Sequence, residues 1–292
     1  MRVNVIIPVF NRLEHTQKVL EALRSQTVCD AMTIVIVNDG STDGTAKYLQ
    51  SQSDVTEIRA DGNLWWGGAI EEGLKHVLPA CQPDDYVLFL NNDTWFDDNF
   101  VEALVQASKE NGGAAVGSVI HEEGRDPPLV SIGAKVNINR LAVWDLLSEL
   151  SEMEKRSPCS QYRVDALSGR GTLYPALLFR KHGSMRPNLL PHYMADYEIA
   201  MRFARAGVPL VVSSKAIVYS PPVYGNDASS LSWRKRLFGR RSAHNVFQRL
   251  IFYSLVGSPV QRMTAPIRMA YFSCSRAFST WRSLAKRKEG TI

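Results

Sequence analysis

Residues 86–98 read YVLFLNNDTWFDD. Tyr86 to Leu90 is an apolar run of the length and character of a buried strand. The chain then turns polar at Asn91, Asn92 and Asp93. A core strand that ends in three oxygen-bearing side chains can cap the helix that follows. It can also present hard oxygen ligands to Mg²⁺ or Mn²⁺, which use one or two protein carboxylates and complete their shell from phosphates. One carboxylate does not decide between the two.

The surrounding sequence supplies the context. Residues 3–9 form a β-rich run, and 13–25 carry an amphipathic helical pattern through Leu13, Val19, Leu20 and Leu23. TIVIVND (33–39), VTEIRA (55–60), YVLFL (86–90) and GAAVGSVI (113–120) read as strands. Helical segments TDGTAKYLQSQ, WGGAIEEGLKHVL and FDDNFVEALVQASKE alternate with them. Near-continuous apolar strands separated by helices predict an α/β fold: a mainly parallel sheet with helices on both faces. In such sheets ligands sit beyond the carboxyl ends of the strands. The four loops there are PVFNR (8–12), NDGSTDGT (38–45), DGNLWWGG (61–68) and NNDTWFDD (91–98), all rich in Asn, Asp, Gly or aromatic residues. Four such loops at one edge favour a binding site over a set of plain turns.

Further on, LVSIGAKVNI (129–138) predicts a strand pair or a bulged strand, and residues 145–157 a short helix. Residues 164–179 show strand character around a Gly-Arg-Gly loop, and 191–207 contain a helix that stops at Gly207. Asp196 lies near that helix start, where backbone N–H groups favour an anion. Such a carboxylate either stabilises the helix or serves as a general base on a hydroxyl.

Pro221, Pro222 and Gly225 suggest a boundary, dividing the chain into residues 1–225 and a basic helical extension, 226–292. The net charge of +5 is unevenly spread: residues 228–292 hold 13 Lys and Arg against one acid, Glu289. The first 227 residues carry −7. A basic region of this kind meets an anionic partner, a membrane surface or a nucleic acid. SP (258–259) and TAP (264–266) look like helix starts. Ile267, Ala270, Tyr271, Cys274, Phe278, Trp281 and Ala285 fall on one helical stripe flanked by arginines, the pattern of a helix packed on the main domain or lying in a membrane interface. No run is long enough to span a bilayer. No signal peptide is visible, and four scattered cysteines with no CxxC pair suit reduced thiols in a cytoplasmic protein.

VIIPVFNR, IVIVNDGSTDGT, NLWWGGAIEEG, YVLFLNNDT, LSGRGTLYP and LPHYMADYEIAMRFARAG occur in order over roughly residues 3–220. Together these segments resemble the family-2 glycosyltransferases with the GT-A fold, inverting enzymes that use nucleotide sugars. WWGGA with GRGTLYP and LPHYxxDYE is similar to a bacterial branch that builds surface polysaccharides, rhamnosyltransferases among them. The resemblance implies a nucleotide and donor pocket lined by Pro8, Phe10, Arg12, Asp39, Asn63, Trp66, Gly67, Asn92 and Arg170. It implies Asp93 as the ligand of a Mg²⁺ or Mn²⁺ ion, with Asn91 a weaker one. Asp196 matches the catalytic base, and Glu198, His192 and Tyr193 support the helix or the acceptor. The expected partners are a nucleoside-diphosphate sugar donor (dTDP-rhamnose or UDP-hexose type), a glycan or lipid-linked saccharide acceptor, and the inner face of the cytoplasmic membrane, with no nucleic acid.

Three positions depart from the family pattern. Asn91 replaces the first Asp of the metal motif; Tyr219, by rough register, stands where many relatives carry His; and Glu72 stands where many carry Asn. His192 and His244 are candidate substitutes for the missing histidine. Two other readings stay open: a sugar nucleotidyltransferase, against which the first loop lacks a glycine-rich phosphate motif, and a degenerate, non-catalytic assembly module.

Overall fold

The computed structural model of the protein describes residues 1–221, 232–239 and 242–271. The strand–helix alternation read above is present: β1 (Val3–Val9), α1 (Leu13–Arg24), β2 (Met32–Asp39), α2 (Thr45–Gln50), β3 (Val55–Ala60), α3 (Trp65–Val77), β4 (Tyr86–Phe89), α4 (Phe100–Glu110) and β5 (Ala115–Glu122). Short elements follow: β6 (Leu129–Ser131), β7 (Ala134–Asn137), β8 (Ala142–Asp145), α5 (Glu152–Arg156), β9 (Gln161–Arg163), β10 (Thr172–Pro175) and α6 (Leu177–His182). The long elements α7 (Ala195–Arg205) and β11 (Leu210–Ser220) come next, then α8 (Trp233–Phe238) and α9 (Val246–Val256).

The main sheet runs β3-β2-β1-β4-β10-β5-β11-β9, with β6 on β5; β7 and β8 form a separate hairpin. Strands β3, β2, β1 and β4 pair in parallel, as do β5 and β11. β10 is inserted antiparallel between β4 and β5. β5 therefore runs the same way as β4, and six carboxyl ends meet at one edge. β10 brings its amino end there, so the loop just before it, residues 168–171, lies at that edge too. The chain winds from β1 outward to β3 and then crosses to β4 on the other side of β1, which makes the β1/β4 junction the topological switch point.

Paired on both sides, β1 is buried on both faces and, apart from Asn4, apolar. Val3, Val5, Ile7 and Val9 pack in one layer with Val19, Leu20 and Leu23 of α1 and Leu104 of α4. Ile6 faces the other layer with Ile70 and Leu74 of α3, Phe203 of α7, and Phe252 and Tyr253 of α9. The described part of the C-terminal region thus contributes to the main core, with Phe252 and Tyr253 fully buried.

Four sequence expectations change. α4 begins at Phe100, not Phe96, and its cap is Asn99, so Asn91–Asp93 do not cap it. Residues 177–182 are helical rather than extended, because the sheet ends at Pro175, where β10 turns away. Helical residues 259–271 run through Pro266 without a second start; Ser258 caps them by accepting from the Gln261 N–H. Of the expected apolar stripe, Ile267 and Tyr271 are exposed, Ala265 alone being fully buried nearby. Cys274, Phe278, Trp281 and Ala285 lie outside the described residues. No described helix is long and apolar enough to cross a membrane.

α3 lies close against β1 because Gly73 has no side chain: a Cβ there would sit 2.4 Å from Ile6 Cγ2. Gly73→Val should cost at least about 2 kcal/mol by overpacking a fully buried, branched neighbour. Urea unfolding of the variant against the wild type measures this.

Candidate active site

The loops at the carboxyl edge are tied together by short polar side chains. Asn11 and Arg12, after β1, both have left-handed backbones (φ 59 and 64). The Asn11 N–H donates to Ser41 Oγ at 2.8 Å, and its side-chain oxygen accepts from the Thr42 N–H at 2.9 Å. Asp39, at the end of β2, is buried. Its carboxylate accepts the backbone N–H groups of Gly62 (2.9 Å), Leu64 (3.1 Å) and Trp65 (3.0 Å). Trp65 itself is left-handed (φ 61), as is Met194 (φ 66) before α7. Of the five non-glycine residues with positive φ among the described residues, three (Arg12, Trp65 and Met194) line the cleft. Backbone held in sparsely populated conformations collects at functional sites.

The cleft has a volume of about 1010 Å³ and opens over the switch point. Of the residues expected in the donor pocket, Pro8, Phe10, Arg12, Asp39, Trp66, Asn92 and Arg170 line it. Asn91, Asp93, Asp196, His192 and Tyr193 line it as well.

Asp93 is buried at the end of the β4 loop. Its Oδ2 accepts from Arg12 Nη1 at 2.7 Å, across the β1/β4 junction. Its Oδ1 is buried without a hydrogen-bond partner. An orphaned carboxylate oxygen is costly unless something binds it, and it fits Mg²⁺ or Mn²⁺ brought in with a phosphate. Among the described residues no three His, Cys, Asp or Glu side chains come together as a metal cage. Any such ion would therefore draw most of its ligands from substrate and water.

Asp196 sits in the first turn of α7. Its Oδ2 accepts from the Gly169 N–H at 3.0 Å and its Oδ1 from the Tyr197 N–H at 2.9 Å. Burial raises its pKa above the usual carboxylate range, and the two N–H groups and the Arg170 charge offset part of that rise. A half-buried carboxylate with a raised pKa is a stronger base than an ordinary aspartate.

Other expected residues lie elsewhere. Glu198 is turned into the protein, where it pairs with Arg202 at 2.7 Å and Arg186 at 3.2 Å, fixing α7 to the loop before it and touching no cleft surface. Gly67 allows a close approach, but to the Pro191 backbone: its N–H donates to Pro191 O at 2.8 Å, and a Cβ would lie 2.8 Å from Leu190 O. Asn63 is exposed and outside the cleft lining. The Asn91 oxygen accepts from the Trp66 indole N–H at 2.9 Å, which takes up one of its two acceptor positions. The Asn92 amide donates to Thr16 Oγ1 at 3.2 Å, holding the β4 loop on α1. Tyr219 bridges to the Trp95 backbone with its ring against His121. Neither Tyr219 nor His244 lines the cleft, whereas His192 does, its ring 5.9 Å from that of Trp65. Glu72 is paired with Lys75 on the outer face of α3, away from the pocket.

Sequence reading missed one wall, made of Glu122, Arg125, Val130 and Ser131. Glu122 ends β5, Arg125 follows it, and Val130 and Ser131 sit on β6. The rule that directed attention to the first four loops applies equally to HEEGR after the fifth parallel strand; its place beyond the inserted β10 was not legible.

Residues 4–142 match the model of Glycosyl transferase family 2. Among curated proteins, "Glycosyltransferase GlyA" of Streptococcus pneumoniae serotype 4 is 29% identical over 106 residues, covering 35% of this chain and 14% of GlyA. An "Uncharacterized glycosyltransferase RT0329" of Rickettsia typhi is 21% identical over 206 residues, covering 70% of this chain and 58% of that protein. The chain thus spans less than two thirds of the length of both. Among solved structures, GalNAc-T7 with UDP, GalNAc and Mn²⁺ superposes with a TM-score of 0.62 at 13% identity, covering 96% of this chain and 57% of the other. TarS 1-349 of S. aureus in complex with UDP-GlcNAc gives 0.57 at 17% identity, covering 93% and 71%. The fold is the GT-A fold, with a mostly parallel sheet and flanking helices.

Asp39→Ala would leave three backbone donors of the β3 loop unsatisfied. It should cost roughly 2–4 kcal/mol and speed amide exchange at Gly62, Leu64 and Trp65. Denaturant titration and hydrogen exchange check the two effects separately.

Proposed function

We propose that the protein is an inverting glycosyltransferase that moves a sugar from a nucleoside-diphosphate donor, of dTDP-rhamnose or UDP-hexose type, to a hydroxyl of a glycan acceptor. The observation that carries this reading is one cleft lined both by Asp93, bearing an orphaned oxygen, and by Asp196, a carboxylate with a raised pKa. The family match and the GT-A fold support it.

The donor's nucleoside would lie between the β1 and β2 loops beside Phe10, with its diphosphate over Asp93 and Arg12. Asp93 would hold Mg²⁺ or Mn²⁺ through Oδ1; when bound, such an ion neutralises charge on the departing diphosphate. Arg12 supplies a second positive charge to the same group. Asp196 accepts the proton of the acceptor hydroxyl, whose oxygen attacks the anomeric carbon from the face opposite the diphosphate. The bond to the diphosphate breaks as the new glycosidic bond forms, and the configuration inverts. The Gly169 and Tyr197 N–H groups hold the carboxylate in its ionised, accepting form.

Asp93→Ala and Asp196→Ala should each lower nucleoside-diphosphate release from an activated sugar by roughly 100- to 10,000-fold, with Mg²⁺ or Mn²⁺ present. Full activity in both variants overturns the assignment, and pyrophosphate release from a nucleoside triphosphate would point to a nucleotidyltransferase. Transfer must rise with pH as Asp196 loses its proton, and its inflection should lie above the ordinary Asp range. The stability effect has the opposite sign. A raised native pKa favours folding while the group is protonated, and that contribution is lost as pH rises through the native value.

A lipid-linked acceptor at the inner face of the cytoplasmic membrane belongs to the same reading. Val260, Met263, Ile267 and Tyr271 lie exposed along one face of helical residues 259–271, within the region that carries the positive charge. Met263→Ser with Ile267→Ser should reduce co-sedimentation with anionic vesicles several-fold; unchanged binding rejects the membrane contact.

A further inference from the structure

Trp66 joins parts of the cleft that are distant in sequence. Its indole N–H donates to Asn91 Oδ1 on the β4 loop at 2.9 Å. Its ring meets Phe89 edge-on, with centroids 6.0 Å apart. The six-membered part of the indole lies directly on Gly169: a Cβ built there would come within 2.1 Å of Cζ2 and 2.5 Å of Cη2. Gly169 in turn gives its N–H to Asp196 Oδ2 at 3.0 Å. The rest of the 168–171 loop is anchored independently. Ser118 Oγ donates to Arg170 O at 2.9 Å, and the Gly171 N–H donates to Phe89 O at 2.9 Å. Gly169 is the member whose position depends on the ring above it.

A donor hydrogen bond fixes the indole in rotation, a glycine lets the ring settle onto the backbone, and that backbone presents one N–H to a carboxylate. We infer that Trp66 is a positioning residue: held by Asn91, it presses Gly169 into place and so orients Asp196, tying the base to the loop that carries Asp93. Trp66 touches neither carboxylate and acts through its neighbours. The inference rests on the proposed function for the meaning of Asp196, but the contact chain itself does not. It also accounts for Asn at position 91: an amide oxygen accepts the indole N–H without a second negative charge beside Asp93.

The Gly169 N–H favours the ionised carboxylate, against the burial that disfavours it. Loosening Gly169 should therefore raise the pH at which Asp196 titrates. The other groups facing it are Arg170 on the loop, Tyr174 on β10 and Tyr197 on α7. None of them changes identity in the variants below.

The test follows the Asp196 carboxyl band by infrared difference titration in the absence of donor, with the band assigned by its loss in Asp196→Asn. Trp66→Phe, which keeps a ring but lacks the N–H, and Asn91→Leu, which removes the acceptor, should each move the midpoint upward by about one pH unit. Each should lower kcat about tenfold at neutral pH while donor KM stays within about twofold. The double variant should be no worse than either single one, because both act through the same ring. Gly169→Ala displaces the loop from the other side and should shift the midpoint in the same direction. A wild-type midpoint in all three folded single variants overturns the inference. So does a raised donor KM with an unmoved midpoint, which would make Trp66 a donor contact only. If the midpoint moves as expected while Asp196→Asn transfers sugar at the wild-type rate, the linkage stands and the proposed base is wrong.

Discussion

The parallel pairing of β4 with β1 is the constraint on which the cleft depends. It sets Val3 beside Tyr86 and Ile6 beside Phe89, so the two chains leave the sheet side by side. Arg12 and Asp93, 81 residues apart, then meet at 2.7 Å over the junction. The chain reverses its winding direction there, and no crossover helix covers the gap. A one-residue slip in this pairing would exchange Tyr86 and Leu88 with Val87 and Phe89 between the two core layers as well as separating the ion pair, so core packing and site geometry enforce each other.

The charges are arranged so that no carboxylate in the cleft is idle. Asp39 is consumed in folding the β3 loop, which it does by accepting three backbone donors. Asp93 shares itself between Arg12 and an oxygen left without a protein partner. Asp196 is braced by two backbone N–H groups yet stays harder to ionise than a free aspartate. The difference lies in what each faces. All three line the cleft, but backbone donors occupy both oxygens of Asp39, whereas Asp93 keeps one oxygen without a hydrogen-bond partner.

Much of this was legible in the sequence. The near-continuous apolar runs marked β1, β2, β4 and β5 to within a few residues, because strands buried on both faces have little freedom in composition; the edge strand β3 followed from its place in the alternation. The carboxyl-edge rule then led to the loops that carry Arg12, Asp39 and Asp93, and the family resemblance singled out the residues within them. What escaped was non-local. ALLF (176–179) is as apolar as a strand, and only the end of the sheet at Pro175 makes residues 177–182 helical. Glu198 resembles a site acid until Arg186 and Arg202 are seen around it. Asn91 reads only as a weak metal ligand until the indole of Trp66, 25 residues away, is seen to donate to its oxygen. Side-chain partners distant in the chain leave no periodic signal.

The burial of α9 in the layer that holds Ile6 has a consequence for biogenesis. Phe252, Tyr253 and Val256 close a core that also holds Ile6, about 250 positions earlier in the chain. A chain emerging from the ribosome can form the β1–β4 sheet early, but one side of that sheet keeps an open apolar patch until about residue 256 is free. Contacts of such long sequence separation delay the final closure. The half-built molecule would meanwhile depend on chaperones, or on a surface that shields the patch, to avoid associating with its own kind.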